Sequence, residues 1–202
     1  MLLEHQPLLT QLERARTLGF LGPGPVTDHI EHATGFLKAL TGVAGTVVDL
    51  GSGGGVPGLI IGVDRPDLAL ILMEAAAKRC RFLEDAVTAL RLLARVVEGR
   101  AEIIGHGELR GEADAVVSRS FGSPAATAEC AAPLLRVGGT LVVSEPPSAT
   151  PRRWPASGLA MLGMILGHRS RGFPVVQVVH QASACPLAFP RRDGRPSKRP
   201  LF

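Results

Sequence analysis

The chain has 202 residues, 46% of them hydrophobic, with one Trp, no Tyr, three Cys and a formal net charge of +4. That length suits one domain with a full core and no need of disulfides or a structural metal, and no apolar run approaches the roughly 18 residues of a membrane helix. Residues 1–6 lack the marks of a signal peptide, the cysteines (80, 130, 185) are odd in number and far apart, and the six histidines form no ligand cluster, so a monomeric, metal-free, cytoplasmic protein with reduced thiols is expected.

In chain order, residues 2–18 place Leu8, Leu9, Leu12, Ala15 and Leu18 at helical spacing, and residues 25–40 do the same with Ile30, Ala33, Phe36, Leu37 and Leu40. Gly22-Pro23-Gly24-Pro25 separates the two. From Gly45 strands and helices alternate: strand 47–50, helix 57–63, strand 68–73, then helix 78–94 with Leu83, Val87, Leu90 and Leu93 inward. Short strands are predicted at 96–97 and 101–104, a fourth strand at 113–117, a helix at 125–135 closed by Gly138-Gly139, and a fifth strand at 140–144. Segments 162–168 and 174–181 read as an antiparallel pair joined by residues 169–172. The fold class is therefore α/β: a parallel sheet covered on both faces, with an antiparallel C-terminal edge hairpin, as in class I methyltransferase Rossmann-like folds. One domain is expected, made of a helical cap (1–44), a core (45–188) and a basic tail (189–202).

The most informative segment is Asp49-Leu-Gly51-Ser-Gly53-Gly-Gly55-Val56-Pro57-Gly58, a strand end, a loop almost without side chains and a helix start. It makes a nucleotide-sized pocket at the carboxyl edge of a parallel strand. Asp49 at the mouth of that loop would repel a pyrophosphate and welcome an ammonium or a sulfonium. The cofactor that combines adenosine with both is S-adenosylmethionine.

Further along, Glu74 ends the second strand and suits a double acceptor for ribose hydroxyls. Gly99-Arg100-Ala101-Glu102 offers a backbone group and a carboxylate to an adenine edge. Ser118-Arg119-Ser120-Phe121 follows the fourth strand, where Arg119 is either a forked contact to a carboxylate or phosphate, or half of a structural salt bridge. Residues 1–143 carry 13 Lys/Arg against 16 Asp/Glu, and residues 144–202 carry nine against two. So basic a C-terminal quarter suggests either a polyanionic partner or a solvated charged tail.

These segments, in this order, resemble the bacterial 16S ribosomal RNA guanine-N7 methyltransferases, the glucose-inhibited division protein B family, across about residues 25–143. The close of the chain, Phe189-Pro-Arg-Arg-Asp-Gly194-Arg-Pro196-Ser-Lys198-Arg-Pro200-Leu201, is similar to that family's closing motif. The resemblance implies a methyltransferase that uses S-adenosyl-L-methionine, with ribosomal RNA or the small ribosomal subunit as partner. It places cofactor contacts on Gly51, Val56, Ala101, Glu102 and Arg119, beside Asp49, Gly53 and Glu74 from the residue reading. Guanine N7 needs no general base, so Arg119 is expected to orient rather than carry a proton. The tail residues Arg191, Arg192, Arg195, Lys198 and Arg199 are expected to meet RNA phosphates, and their removal to leave cofactor binding unchanged. The chain departs from the family pattern at two places. Ser144-Glu145-Pro146-Pro147 stands where a Lys-Gly pair is usual, which is expected to set a carboxylate against a polyanion, and Leu21-Gly-Pro-Gly-Pro25 replaces an Asn-Leu-Thr stretch. Two other functions compete: a paralogue that methylates another RNA or a small molecule, and a non-catalytic RNA-binding protein on the same fold.

Overall fold

The computed structural model describes residues 2–148 and 150–202. After a 3-10 turn at Leu2–Glu4, helix α1 (Gln6–Thr17) starts where the His5 ring accepts the Leu8 N–H at 3.1 Å. It buries Leu8, Leu12 and Ala15. Helix α2 (Val26–Ala39) buries Ile30, Ala33 and Phe36 on one face, the 3.6-residue rhythm visible in the sequence. The core then alternates: β1 (Thr46–Leu50), α3 (Gly58–Asp64), β2 (Ala69–Glu74), α4 (Ala77–Leu90), β3 (Ala94–Glu98), α5 (Ala101–Ile104), β4 (Ala113–Ser118), α6 (Pro124–Ala131) and β5 (Leu135–Ser144). Helix α7 (Ala156–Ala160) leads into the hairpin β6 (Met164–Arg169) and β7 (Val176–Gln181), and α8 (Arg195–Lys198) nearly closes the chain.

The seven strands lie in the order β3-β2-β1-β4-β5-β7-β6. Strands β1 to β5 are parallel, and β7 runs antiparallel to both β5 and β6. This is the doubly covered sheet with an antiparallel edge that the alternation of apolar runs implied. Successive residues of β1 serve opposite faces: Val47 joins the core under the N-terminal helices and α3–α4, and Val48 joins the core under α6 and α7. The order reverses between β1 and β4, so a crevice opens at their carboxyl ends. Among the described residues no helix is long and apolar enough to cross a membrane.

Three local expectations are corrected. Residues 101–104 form a one-turn helix rather than a strand. Strand β3 is the sheet edge, its pairing ends at Glu74–Glu98, and Gly99 at φ +156° redirects the chain with no strand left to pair. Helix α4 stops at Leu90 because Arg91 takes a left-handed conformation and Leu92 N–H closes on the Val87 carbonyl, which leaves Leu93 82% exposed instead of inward. Helix α6 stops at Ala131, two residues before Pro133, and Gly138-Gly139 lies within β5.

Candidate active site

Three cavities meet at the carboxyl ends of β1 and β4. The first, about 240 Å³, is lined by Gly51, Glu74, Gly99, Ala101, Glu102 and Ser197 among others. The second, about 220 Å³, lies over the glycine loop between Gly53, Val56, Leu21 and Arg119. The third, about 450 Å³, opens toward Ser144–Pro147, Arg153 and Phe173. Ser120 lines all three. It is also one of only two non-glycine residues at positive φ among the described residues, at 58°. Such a conformation costs on the order of 1–3 kcal/mol and is found at ligand clamps.

The loop is open on its ligand side and shut on the other. A Cβ at Gly53 would meet nothing nearer than the Gly51 carbonyl at 3.8 Å, so a side chain there would project into free space over the loop. At Gly58 a Cβ would fall 2.4 Å from Leu72 Cδ2 as well as from Asp49 Oδ2. Asp49 is 1% exposed and sits behind the loop, not at its mouth, accepting the Gly58 N–H at 3.0 Å. Its other oxygen, Oδ1, is buried without a partner. Burial pushes its pKa up to about 7, against the lowering effect of the Gly58 N–H.

Glu74 accepts the N–H groups of Ala75 and Ala76 on Oε1 and that of Gly53 on Oε2, all at 2.9 Å. A carboxylate offers about four lone-pair sites, so the expected double acceptor has room for one hydroxyl. Glu102 is 5% exposed, and its Oε1 takes both Arg100 Nη2 and the Gly194 N–H at 3.0 Å. Beside it, the Ala101 N–H lies in the first turn of α5, where no helical acceptor exists.

Among the described residues Arg119 makes no salt bridge. Its Nη2 stands 2.8 Å from His29 Nδ1, its Nη1 is buried without a partner, and burial lowers its pKa while Asp49 opposes that. His29 Nε2 and His32 Nδ1 are buried and unpartnered too. Burial and the Arg119 charge lower the pKa of both rings, to about 4 for His32. These two neutral imidazoles on α2 were not assigned a site role from the sequence. Their i, i+3 spacing put them on one helix face, but nothing local tied that face to Arg119.

The basic tail is not free. The Arg191 guanidinium grips the fully buried Glu129 of α6 at 2.7 and 2.8 Å, and the Arg191 N–H donates to it at 2.8 Å. Asp193 pairs with Arg100 at 2.9 Å, Gly194 reaches Glu102, and Ser197 lines the first cavity. The tail is thus a strap over α5 and α6. Its removal would take Ser197 from the first cavity, which bears on the expectation that cofactor binding is left unchanged. Arg192, Lys198 and Arg199 remain exposed and Arg195 is half-buried. Glu145 is corrected as well: it is 6% exposed, with Oε2 held by Arg153 and Oε1 by Trp154 Nε1 at 3.0 Å, so it turns no bare carboxylate to a polyanion.

The fold, with a glycine loop, an acid at the end of β2 and adjoining cavities, defines a class I methyltransferase. A 16S rRNA (adenine(1408)-N(1))-methyltransferase of Catenulisporales acidiphilia superposes with a TM-score of 0.57 at 18% identity, over 76% of this chain and 93% of that one. In sequence, the family described as GidB, rRNA small subunit methyltransferase G, matches residues 25–145. The enzymes named ribosomal RNA small subunit methyltransferase G of Leuconostoc citreum and Syntrophomonas wolfei are 33% and 30% identical to it. The matches span 82% and 89% of this chain and 73% and 87% of those relatives. The chain belongs to this family and is a methyltransferase.

Proposed function

We propose that this enzyme transfers a methyl group from S-adenosylmethionine to N7 of a guanine in small-subunit ribosomal RNA. The observation that carries the reading is the meeting of three cavities at the left-handed Ser120, two of nucleoside and amino-acid size and one open to a base. The residues suit the cofactor. Asp49, with one oxygen unpartnered, would draw the ammonium by its charge from behind the loop; Glu74 would hold the ribose; Ala101 and Glu102 the adenine; and Gly51, Gly53 and Val56 would give the close approach. Arg119, with a buried unpaired Nη1, would take the methionine carboxylate or a group of the substrate. The cofactor supplies an activated methyl group.

N7 of guanine presents an unprotonated lone pair at neutral pH, so the protein's task is to align it and exclude water. Neutral His29 and His32 keep further positive charge away from a base that becomes cationic during transfer. Wild-type protein incubated with small ribosomal subunits and methyl-labelled cofactor should incorporate label. Borohydride reduction and aniline cleavage, which report N7-methylguanine, should then cut the rRNA at one position. Label at another atom or base, or in another RNA only, would contradict the proposal.

A further inference from the structure

The third cavity carries a pair of charges that the proposed chemistry does not by itself require. Glu145 directly follows β5 with its N–H bonded to the Val175 carbonyl at 2.9 Å, and its side chain is almost fully enclosed. One carboxylate oxygen holds Arg153 and the other holds the indole N–H of Trp154, itself 2% exposed. Arg153 is fixed at its head in this way, while 37% of its side chain is exposed and it lines the cavity with Arg119, Ser120 and Phe173. Only one N–H of its fork is spent on Glu145. Among the described residues the rest make no hydrogen bond, while the guanidinium is held by a carboxylate that Trp154, itself buried, also binds.

We infer that Arg153, clamped by Glu145, is the specificity-determining residue that reads O6 of the target guanine. The inference rests on the guanine-N7 reading above. On the edge that carries N7, guanine offers one further acceptor, O6, where adenine has an amino donor. N–H groups of Arg153 aimed at that position favour guanine and meet a donor when adenine is present. Polar readout of this kind, once the base covers the arginine, discriminates far better than an apolar pocket does, because the wrong base leaves groups unpaired.

The clamp also answers a charge problem. Methyl transfer moves the positive charge from sulfur to the base, and one N–C bond forms as one S–C bond breaks. A lone cation at hydrogen-bond distance from the base would oppose that movement through a medium of low dielectric. The Glu145–Arg153 pair supplies the donors with almost no net charge. It therefore does more at this place than an unpaired cation would.

The test compares wild type, Arg153→Ala and Arg153→Lys on small ribosomal subunits that carry either guanosine or adenosine at the methylated position. Cofactor affinity is followed in parallel by calorimetry. For Arg153→Ala, kcat/KM on the guanosine substrate should fall about 30-fold or more, the guanosine-over-adenosine preference should shrink at least about tenfold, and cofactor affinity should hold within about twofold. Arg153→Lys keeps the charge but loses the fork and should fall between the two, which preserves the test if the alanine variant folds poorly. If Arg153→Ala keeps both the rate and the preference, the inference is overturned while the proposed function stands. A parallel loss of cofactor affinity overturns it too, because Arg153 would then be structural. Wild-type protein that does not methylate guanine N7 overturns both.

Discussion

The glycine loop and the C-terminal strap line the same adenosine-sized cavity by opposite means. The loop contributes Leu50 and Gly51 to it, from a ten-residue stretch whose main chain approaches closely and whose one buried charge, Asp49, is local. The strap is held by ion pairs and backbone contacts to residues 62 to 93 positions away, Glu102, Glu129 and Arg100. A loop coded by its own sequence withstands change elsewhere but not within it. A strap coded by distant partners fails when either partner is removed. Substitutions in the two regions should accordingly separate stability from binding.

The largest effect is expected at the strap. Arg191→Ala leaves the fully buried Glu129 with an uncompensated charge, and removing one partner of such a pair costs about 3–5 kcal/mol. Urea unfolding should show that loss, and cofactor affinity should fall with it through Gly194 and Ser197. Equal stability would mean that the strap is not docked. At the loop the pattern should invert. Gly53→Val places its side chain in the open space over the loop at φ +54°, so calorimetry should find cofactor affinity reduced by about 100-fold or more, with an unfolding cost of only about 1–2 kcal/mol.

A pH titration sharpens the contrast. Burial raises the Asp49 pKa from 3.8 to about 7, so the folded protein holds this proton more tightly than the unfolded chain. The protein without cofactor should be favoured at low pH, and the contribution of Asp49 should be lost as pH rises from about 4 to about 7, by at most on the order of 4 kcal/mol. A cationic ligand selects the carboxylate form. Its affinity should rise across the upper part of that window, and Asp49→Asn should flatten the rise and weaken binding about tenfold. A wild-type affinity that does not change between pH 5.5 and 8 would remove Asp49 from the ammonium role. The smallest effect belongs to the exposed cations of the strap. Changing Arg192, Lys198 and Arg199 to Gln should leave cofactor binding intact and lower RNA affinity. The slope of log affinity against log salt should become shallower by at most about 0.7–0.9 for each phosphate no longer neutralised. An unchanged slope would assign RNA binding to another face.

What was legible in the sequence follows the same division. The sheet, its edge hairpin, the loop, Glu74, Glu102 and Arg119 could be read because each is announced within a few residues, by glycine, by an acid at a strand end or by the period of apolar residues. The docking of the strap, the neutral His29 and His32 behind Arg119, and the clamp of Glu145 on Arg153 could not. Each depends on which residues the sheet order brings together. The misreadings at Leu93 and 101–104 have a nearer cause. A single residue at positive φ ends a helix or turns the chain, and Arg91 is not a type that signals it.

In the proposed function one site holds the cofactor under the strap and presents its methyl group to the cleft at Ser120. The most direct measurement is a crystal structure with S-adenosylhomocysteine, the demethylated product. The adenosine should lie between Glu74 and Glu102 beneath Ser197, the amino-acid end over Gly53 and near Arg119, and the sulfur at Ser120 facing the cavity of Arg153 and Phe173. Product bound elsewhere, or its sulfur turned away from that cavity, would contradict the account.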